Sequence, residues 1–258
     1  MAAHAQGIYV YGFVRADHRL RSGQRGVGAP PTAVRALRHG DLAAVVGDAP
    51  ADLRARRRDL LAHQDLLLSL AEYGPVLPMR FGMVAPDEEV VLAQLDERRA
   101  AYAEALELLD GRDEFNLKAL PTEDAVPALL GQDGRVRRMR DEVRRSPGYE
   151  ASVRLGEAVA AGLARLAGEA AEQVVRELAP LADRWVRGPE VAGYAANVSF
   201  LVADGAQEDF RTAVERFAAA HRDRVELRLS GPIPCYSFTA PASASAPASA
   251  SARLSARV

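Results

Sequence analysis

The segment from Gly74 to Val84, GPVLPMRFGMV, constrains the fold most, because two prolines interrupt an apolar run that otherwise suits a strand. Proline has no backbone N–H to donate to a sheet, so Pro75 suits the start of a strand and Pro78 an edge or a bulge. A helical pattern lies on each side of this segment. We therefore expect a short strand around which the neighbouring elements pack.

The composition limits the class of protein and its partners. The chain has 258 residues, 48% hydrophobic and 26% charged, as in a globular protein of one large or two modest domains. Its formal net charge of -2 gives no electrostatic attraction to nucleic acid or an anionic membrane. One cysteine, Cys235, excludes an intramolecular disulfide, and no secretory signal or membrane-spanning run is found. We expect a cytoplasmic protein without nucleic-acid or lipid-membrane partners.

Besides the strand at residues 74–84, three strand patterns occupy residues 1–120, which we predict to form an N-terminal α+β domain. Residues 8–14 are apolar on both faces, which favours a central strand with Tyr9, Tyr11 and Phe13 on one side. A second strand covers residues 41–48, and a third, residues 114–120, alternates as a strand with one wet face.

Two helices are predicted in the same domain. The first begins near Asp52, and its apolar stripe consists of Leu53, Leu60, Gln64, Leu67 and Ala71. The second is one long amphipathic helix with a seam from Leu92 to Leu109. His63 has no nucleophile or second base at a recognisable spacing, so we interpret it as an ordinary helix residue.

Prolines and glycines between residues 121 and 149 predict a connector with short helices, and hence a domain boundary. A second α+β domain follows at residues 150–238. It has a long Ala-rich helix, then a strand–helix–strand unit whose two strands should be parallel. Each domain is thus expected to be a small mixed sheet with packed helices. Residues 239–258 are nearly all Ala, Ser and Pro, which predicts a disordered tail.

Two arginine clusters and one glycine-rich loop have alternative interpretations. Arginines at residues 54–58 form either a solvated helix face or a patch for an acidic partner, and those at residues 135–145 either a solvated face or a phosphate site. The loop at residues 15–31 is rich in Gly and Pro but lacks the Gly-Lys-Ser/Thr ending of a nucleotide loop.

Motifs for catalysis and metal binding are lacking. The histidines are scattered, no residues have metal-ligand spacing, and neither a nucleophile elbow nor a dinucleotide fingerprint is present. Cys235 is interpreted as a packed residue. The sequence therefore predicts no catalytic residue, no cofactor and no metal site.

Several segments together resemble the gas vesicle protein F and L family (GvpF/GvpL). Those segments, in chain order, are YVYGFVRA, LAAVVGD, GPVLPMRFGMV, EFNLKAL, NVSFLV and SGPIPCYSF. Their order and spacing match across about residues 8–238, nearly the whole of the predicted folded part.

The resemblance implies a non-enzymatic accessory protein of gas vesicle formation, located at the gas vesicle. It implies two α+β domains, the C-terminal one ferredoxin-like. The implied partners are the small hydrophobic shell protein and other gas vesicle accessory proteins, and the implied role is to nucleate or chaperone shell assembly. An exposed sheet edge and apolar patches would suit this role.

Two other functions were weighed against this one. The first is a small-molecule-binding regulator or enzyme on ferredoxin-like domains, which a deep pocket with convergent polar groups would favour. The second is an RNA-binding sheet that uses Tyr9, Tyr11 and Phe13 for stacking, although its basic-Gly-aromatic motif is missing.

The candidate partner-contact residues come from the two proline-containing apolar segments. They are Pro78, Arg80, Phe81, Pro232, Pro234 and Tyr236. The alternative is that they fix turns and fill a seam between the domains. Arg80 is expected to have a fixed acceptor, because a guanidinium in an apolar segment usually has one. The sequence thus predicts that Arg80→Ala lowers thermal stability as well as vesicle yield.

Overall fold

A computed structural model describes residues 7–239, which form two compact units. The first unit contains residues 7–111 and 234–239, and the second contains residues 112–233. None of the helices within the described range is both long enough and apolar enough to cross a membrane. The predicted disordered tail lies, apart from Thr239, outside the described residues.

The first unit is a five-stranded antiparallel sheet with three helices. Its elements are β1 (Ile8–Arg15), β2 (Val34–His39), β3 (Leu42–Asp48), α1 (Arg57–Ala71), β4 (Leu77–Pro78), β5 (Val84–Ala85), α2 (Glu88–Glu97) and α3 (Arg99–Leu109). The strand order is β2-β3-β1-β4, and β5 also pairs with β1. The apolar strand β1 is therefore central, as predicted.

A β-bulge in β1 divides its aromatic residues between the two faces of the sheet. Val10 pairs with Val46 and Gly12 with Val45, so one residue, Tyr11, is extra. Tyr9 and Tyr11 pack in the cluster that includes α1, whereas Phe13 stacks on Tyr102 of α3 with ring centroids 4.4 Å apart. The prediction that all three rings share one face was wrong, because the inserted residue shifts the alternation.

Helix α1 has a different start and a different buried face from those predicted. It begins at Arg57 rather than near Asp52. Its buried residues are Asp59, His63, Leu66, Leu67 and Leu70. Leu60 is exposed, so the predicted apolar stripe is out of phase with the true one. The predicted long second helix is also two helices, α2 and α3, which meet at Arg98.

The second unit is a four-stranded antiparallel sheet with four helices. Its elements are β6 (Arg112–Leu120), α4 (Val126–Gln132), α5 (Gly134–Arg145), α6 (Tyr149–Leu178), β7 (Arg184–Arg187), β8 (Ala196–Ala203), α7 (Gln207–Ala220) and β9 (Glu226–Ile233). The strand order is β7-β8-β6-β9.

The prediction of mixed sheets was wrong for both units, because every strand pairing described is antiparallel. Strands β8 and β9 do run in the same direction, since each pairs antiparallel with β6. They are not neighbours, because β6 lies between them. In this topology, two strands that run in the same direction are connected by a helix, but an antiparallel strand lies between them.

Two hydrophobic clusters organise the second unit. The larger one joins the sheet to α6 and α7, and it includes the predicted residues Val198, Phe200, Phe210 and Phe217. The smaller one joins α4, α5 and the N-terminal half of α6; its fully buried members are Ala125, Leu129, Val136 and Leu166. The long helix α6 therefore contributes to both clusters.

The division into units differs from the predicted domain boundaries after residues 120, 149 and 238. Strand β6 belongs to the second unit, because its partners are β8 and β9. The predicted connector at 121–149 contains α4 and α5, which share the second unit's smaller cluster. Residues 234–239 belong to the first unit, where Tyr236 packs on the cluster of β1 and α1.

Candidate functional site

The proline-containing segment lies at one edge of the first sheet. Pro78 of β4 pairs with Gly12, and Val84 of β5 pairs with Tyr9. Between these strands, the Met79 amide donates to the Tyr11 carbonyl at 2.8 Å, and the Met83 carbonyl accepts from the Val10 amide at 2.9 Å. Residues 79–83, here called the motif loop, are thus fastened to β1 at both ends.

His63 of α1 binds the motif loop on its buried side. Its Nε2 lies 3.0 Å from the Met79 carbonyl oxygen, and its Nδ1 lies 2.9 Å from the Tyr9 hydroxyl. A carbonyl can only accept, so Nε2 carries the proton and Nδ1 accepts from Tyr9. The ring is 2% exposed, and this burial lowers the pKa of His63. A neutral imidazole therefore satisfies both partners.

Tyr9 continues the same hydrogen-bond chain into the loop. Its hydroxyl donates to His63 and accepts from the Gly82 amide at 3.1 Å. Burial raises the pKa of Tyr9, so the phenol stays protonated. Phe81 packs edge-on against both rings, with centroids 6.1 Å from Tyr9 and 5.8 Å from His63. Together these contacts fix the backbone of the loop from Met79 to Gly82.

The outer side of this edge is partly apolar. Met83 is 44% exposed and Val84 is 42% exposed, and they follow the exposed Arg80 and the half-buried Phe81. Arg80 forms no hydrogen bond or ion pair with any residue between 7 and 239. The expected fixed acceptor for Arg80 is therefore not found, because the loop leaves this side chain in solvent.

The structure separates the six predicted contact residues by unit and by exposure. Pro232 is exposed but lies in β9 of the second unit, whereas the other five lie in the first. Pro78 and Pro234 are buried, so neither presents its ring to solvent. Tyr236 is half-buried on the same cluster as Phe81. Arg80, Phe81 and Tyr236 thus remain accessible in the first unit.

Two central amides of the glycine-rich loop at residues 15–31 are already bonded to side chains of the core. The Val27 amide donates to the Tyr11 hydroxyl at 2.9 Å, and the Gly28 amide donates to Asp59 Oδ1 at 3.0 Å. A carboxylate at this place would also repel an anion. The loop is fastened to the core instead.

The rings of β1 cannot stack on nucleic-acid bases in this fold. Tyr9, Tyr11 and Phe13 are all fully buried, so none presents a face to solvent. Base stacking on a sheet requires exposed rings. This observation removes the structural basis for the RNA-binding hypothesis.

A cavity of about 390 Å³ in the first unit is the feature most relevant to the small-molecule hypothesis. Its charged lining residues are Arg15, Asp17, Asp41 and Glu107. Two of them form ion pairs: Arg15 binds Asp110 at 2.9 Å, and Asp41 binds Arg99 at 2.6 Å, which lowers the pKa of Asp41. Within residues 7–239, moreover, no group of three His, Cys, Asp or Glu side chains is arranged to hold a metal ion.

Sequence reasoning missed the roles of Asp59 and His63. Both are polar, lie one turn apart on α1 and face the core, where each binds backbone groups of a loop. The available signal was the four-residue spacing, which places two polar residues on one helix face.

The sequence was also compared with known proteins. The family model for gas vesicle synthesis protein GvpL/GvpF matches residues 7–240. Gas vesicle protein F of Streptomyces sp. (strain CB03234) is 42% identical over 234 residues, covering 89% of this chain and 98% of the relative. Gas vesicle protein L of the same strain is 31% identical over 259 residues, covering 91% and 93% respectively.

A solved structure shows the same fold. The crystal structure of gas vesicle protein GvpF from Anabaena sp. PCC7120 superposes with a TM-score of 0.71, covering 91% of this chain and 98% of that one. The two chains are 23% identical.

Proposed function

The chain belongs to the gas vesicle synthesis protein GvpL/GvpF family, and on that premise we propose that it binds the small hydrophobic shell protein and other vesicle proteins to nucleate or chaperone shell assembly. It acts at the gas vesicle as a non-enzymatic accessory protein. An aggregation-prone subunit needs a partner that covers apolar surface, which requires shape rather than reactive groups.

The observation that supports shell binding most directly is the apolar sheet edge of the first unit. Strands β4 and β5 pair only with β1 among the described strands, and Val84 of β5 and the preceding Met83 are exposed. Because each of these strands is two residues long, an added strand would pair with the edge over a short length only, so the exposed side chains supply most of the contact. The motif loop is preorganised by His63 and Tyr9, which lowers the ordering cost of binding.

We further infer that the second unit is ferredoxin-like. Its strands and the helices α6 and α7 follow the order β-α-β-β-α-β, with α4 and α5 inserted before α6. The sheet order β7-β8-β6-β9 places the first and third strands of that series at its centre, as in a split βαβ arrangement.

The comparison of relatives favours an F-like role over an L-like one. Within one Streptomyces strain, protein F is 42% identical to this chain and protein L is 31% identical. We therefore propose that the chain replaces protein F, and not protein L, in a host that lacks one of them. Vesicles restored by this chain in a strain that lacks protein L would contradict this assignment.

The proposal is tested by capture of the shell protein from cells that express it together with the tagged chain. Met83→Gln should reduce capture roughly fivefold, the effect of an interface contact worth about 1 kcal/mol. Val90→Gln is the matched control, because Val90 on α2 is 45% exposed and lies outside the motif loop. Equal capture by the unmodified chain and by both variants would contradict the assignment of shell binding to this edge.

Deletion of the gene tests the wider role. The expected phenotype is loss of buoyancy and, in electron micrographs, few or malformed vesicles. A cell that floats normally without the gene and without a second copy would contradict the proposal. So would a chain that captures neither the shell protein nor any other vesicle protein.

A further inference from the structure

Helix α5 of the second unit is strongly basic and almost entirely exposed. It carries six arginines against Asp141 and Glu142, and Val136 is its one fully buried residue. Val136 packs on Leu129 and Leu166 of the smaller cluster, which fixes the inward side of the helix. The arginines therefore occupy the outward side.

Most of these arginines have no partner in the described chain. Arg140 binds Asp141 at 2.8 Å, and Arg145 donates to the Asp141 carbonyl at 3.3 Å. Over residues 7–239, no acceptor is within bonding distance of the exposed side chains in a set that we call the free arginines: Arg135, Arg137, Arg138 and Arg144. In the arginine cluster at residues 54–58, two side chains have acidic partners, since Arg56 binds Asp52 and Arg58 binds Asp59.

The spacing along α5 produces two rows of positive charge. Arg137 and Arg144 are seven residues apart, as are Arg138 and Arg145. Seven residues make nearly two turns, so each row runs along one side of the helix for about 10 Å. Asp141 lies between the rows, and its pKa is lowered first by the hydrogen bond from Arg140 and then by the charges of Arg144 and Arg137.

We propose that this face of α5 docks an acidic helical segment of a protein partner. A helix with carboxylates at seven-residue spacing places them opposite the two rows, and arginine binds carboxylates through two parallel hydrogen bonds. A cation on the partner between the carboxylates meets Asp141. Complementary charges of both signs determine register as well as attraction.

The same features disfavour a nucleic acid as the occupant. A phosphate chain presents one sign of charge only, so Asp141 and Glu142 would weaken its binding. No aromatic residue lies within α5 to stack on bases. The inference is independent of shell binding at the motif loop, since the two surfaces belong to different units.

The test uses the full chain and two fluorescent alanine-based peptides of identical composition. One peptide has glutamates in two rows of seven-residue spacing with a lysine between them, and the other has the same residues shuffled. We expect the ordered peptide to bind roughly fivefold more tightly in anisotropy measurements. Its affinity should decrease as salt rises.

Matched charge reversals locate the binding face. Arg137→Glu with Arg144→Glu should weaken the ordered peptide about tenfold or more, because it reverses one full row. Arg54→Glu with Arg57→Glu makes the same change in net charge outside α5 and should alter affinity less than about twofold. The variant Arg137→Gln with Arg144→Gln gives an intermediate loss without new repulsion.

Three results would overturn the proposal: equal affinity for the two peptides, an equal loss in the control variant, or tighter binding of single-stranded RNA than of the ordered peptide. Melting curves of the variants separate lost binding from lost folding, and the glutamine variant keeps the test valid if a reversal unfolds α5. Shell-protein capture is measured separately, so failure here leaves the proposed function standing.

Discussion

The motif loop and helix α5 are both exposed, but they are held in place in different ways. The motif loop is fixed by buried groups beneath it, namely the hydrogen bonds of His63 and Tyr9 to Met79 and Gly82. Helix α5 is fixed by Val136 in a small apolar cluster, and its outward side is charged. The motif loop thus has a rigid backbone and exposed apolar side chains. Helix α5 instead rests on a small hydrophobic cluster and exposes the free arginines.

This difference determines how each surface responds to its environment. Apolar contacts at a rigid edge depend little on salt, whereas unpaired arginines act through charge and are screened over about 10 Å in ordinary buffers. A rigid loop also resists exchange with solvent, while a helix on a small cluster opens more readily. If the two regions are stabilised independently, a substitution in one of them should leave the other unchanged.

The largest effect is expected from Leu129→Ala in the smaller cluster. Leu129 is fully buried and fills the space beside Gly162, where an added Cβ would lie 2.5 Å from a Leu129 methyl carbon. Its truncation should cost about 3 kcal/mol. Hydrogen exchange should show the amides of α4 and α5 opening while those of β6 and the motif loop stay protected.

The neighbouring Leu130 provides the control, since it is only partly buried. Leu130→Ala should cost about 1 kcal/mol. If Leu129→Ala instead lowers protection throughout both units, the cluster is not independent and the comparison fails.

A smaller effect is expected from His63→Leu under the motif loop. It leaves the Met79 carbonyl without its donor and the Tyr9 hydroxyl without its acceptor, at a cost of about 2 kcal/mol. The Gly82 amide should then exchange faster, as measured by NMR. His63→Gln can still donate to Met79 and should restore part of the loss; equal losses in both variants would point to packing alone.

The sequence predicted best where the hydropathy pattern had one cause. In α7 and β9, helical spacing and alternation both follow burial on a single face, and the predicted Phe210 and Phe217 are in the core. The family resemblance was confirmed, because the motifs that indicate it are distinctive and extend over most of the chain.

Prediction from the sequence failed where buried side chains hydrogen-bond to backbone groups instead of adding apolar surface to the core. On α1, Asp59 and His63 are buried because they satisfy loop amides and a carbonyl, so counting apolar residues gives the wrong face. In β1, one bulged residue at Tyr11 moves Phe13 to the other side. For β6, alternation predicted the strand correctly but contained no information on which sheet it joins.

Mild acid should weaken the first unit selectively. Burial lowers the pKa of both His63 and His18 below their ordinary value of 6.5, so the unfolded chain binds more protons than the folded one as pH falls past that value. Stability is therefore complete above about pH 7 and decreases below about pH 6.5. The segment from α4 to α6 contains no histidine and should not share this loss.

The measurement is the free energy of unfolding of the full chain between about pH 5.5 and pH 7.5. His63→Gln should reduce the pH dependence, and His18 should account for the remainder, because burial lowers the pKa of both rings. An unchanged slope in the His63→Gln variant would show that this ring is not what titrates.

The smallest effect on stability is expected from Arg80→Ala. The sequence alone predicted a loss of thermal stability, but Arg80 is exposed and lacks an acceptor within residues 7–239, so the change in unfolding free energy should stay within about 0.5 kcal/mol. Vesicle yield should nevertheless fall if the motif loop contacts a partner. Unchanged melting with reduced yield identifies Arg80 as a contact residue, because nothing within the folded chain depends on it. A lower melting temperature would instead reveal an acceptor for the guanidinium. The loop would then be fixed by Arg80 on its exposed side as well as by His63 and Tyr9 on its buried side.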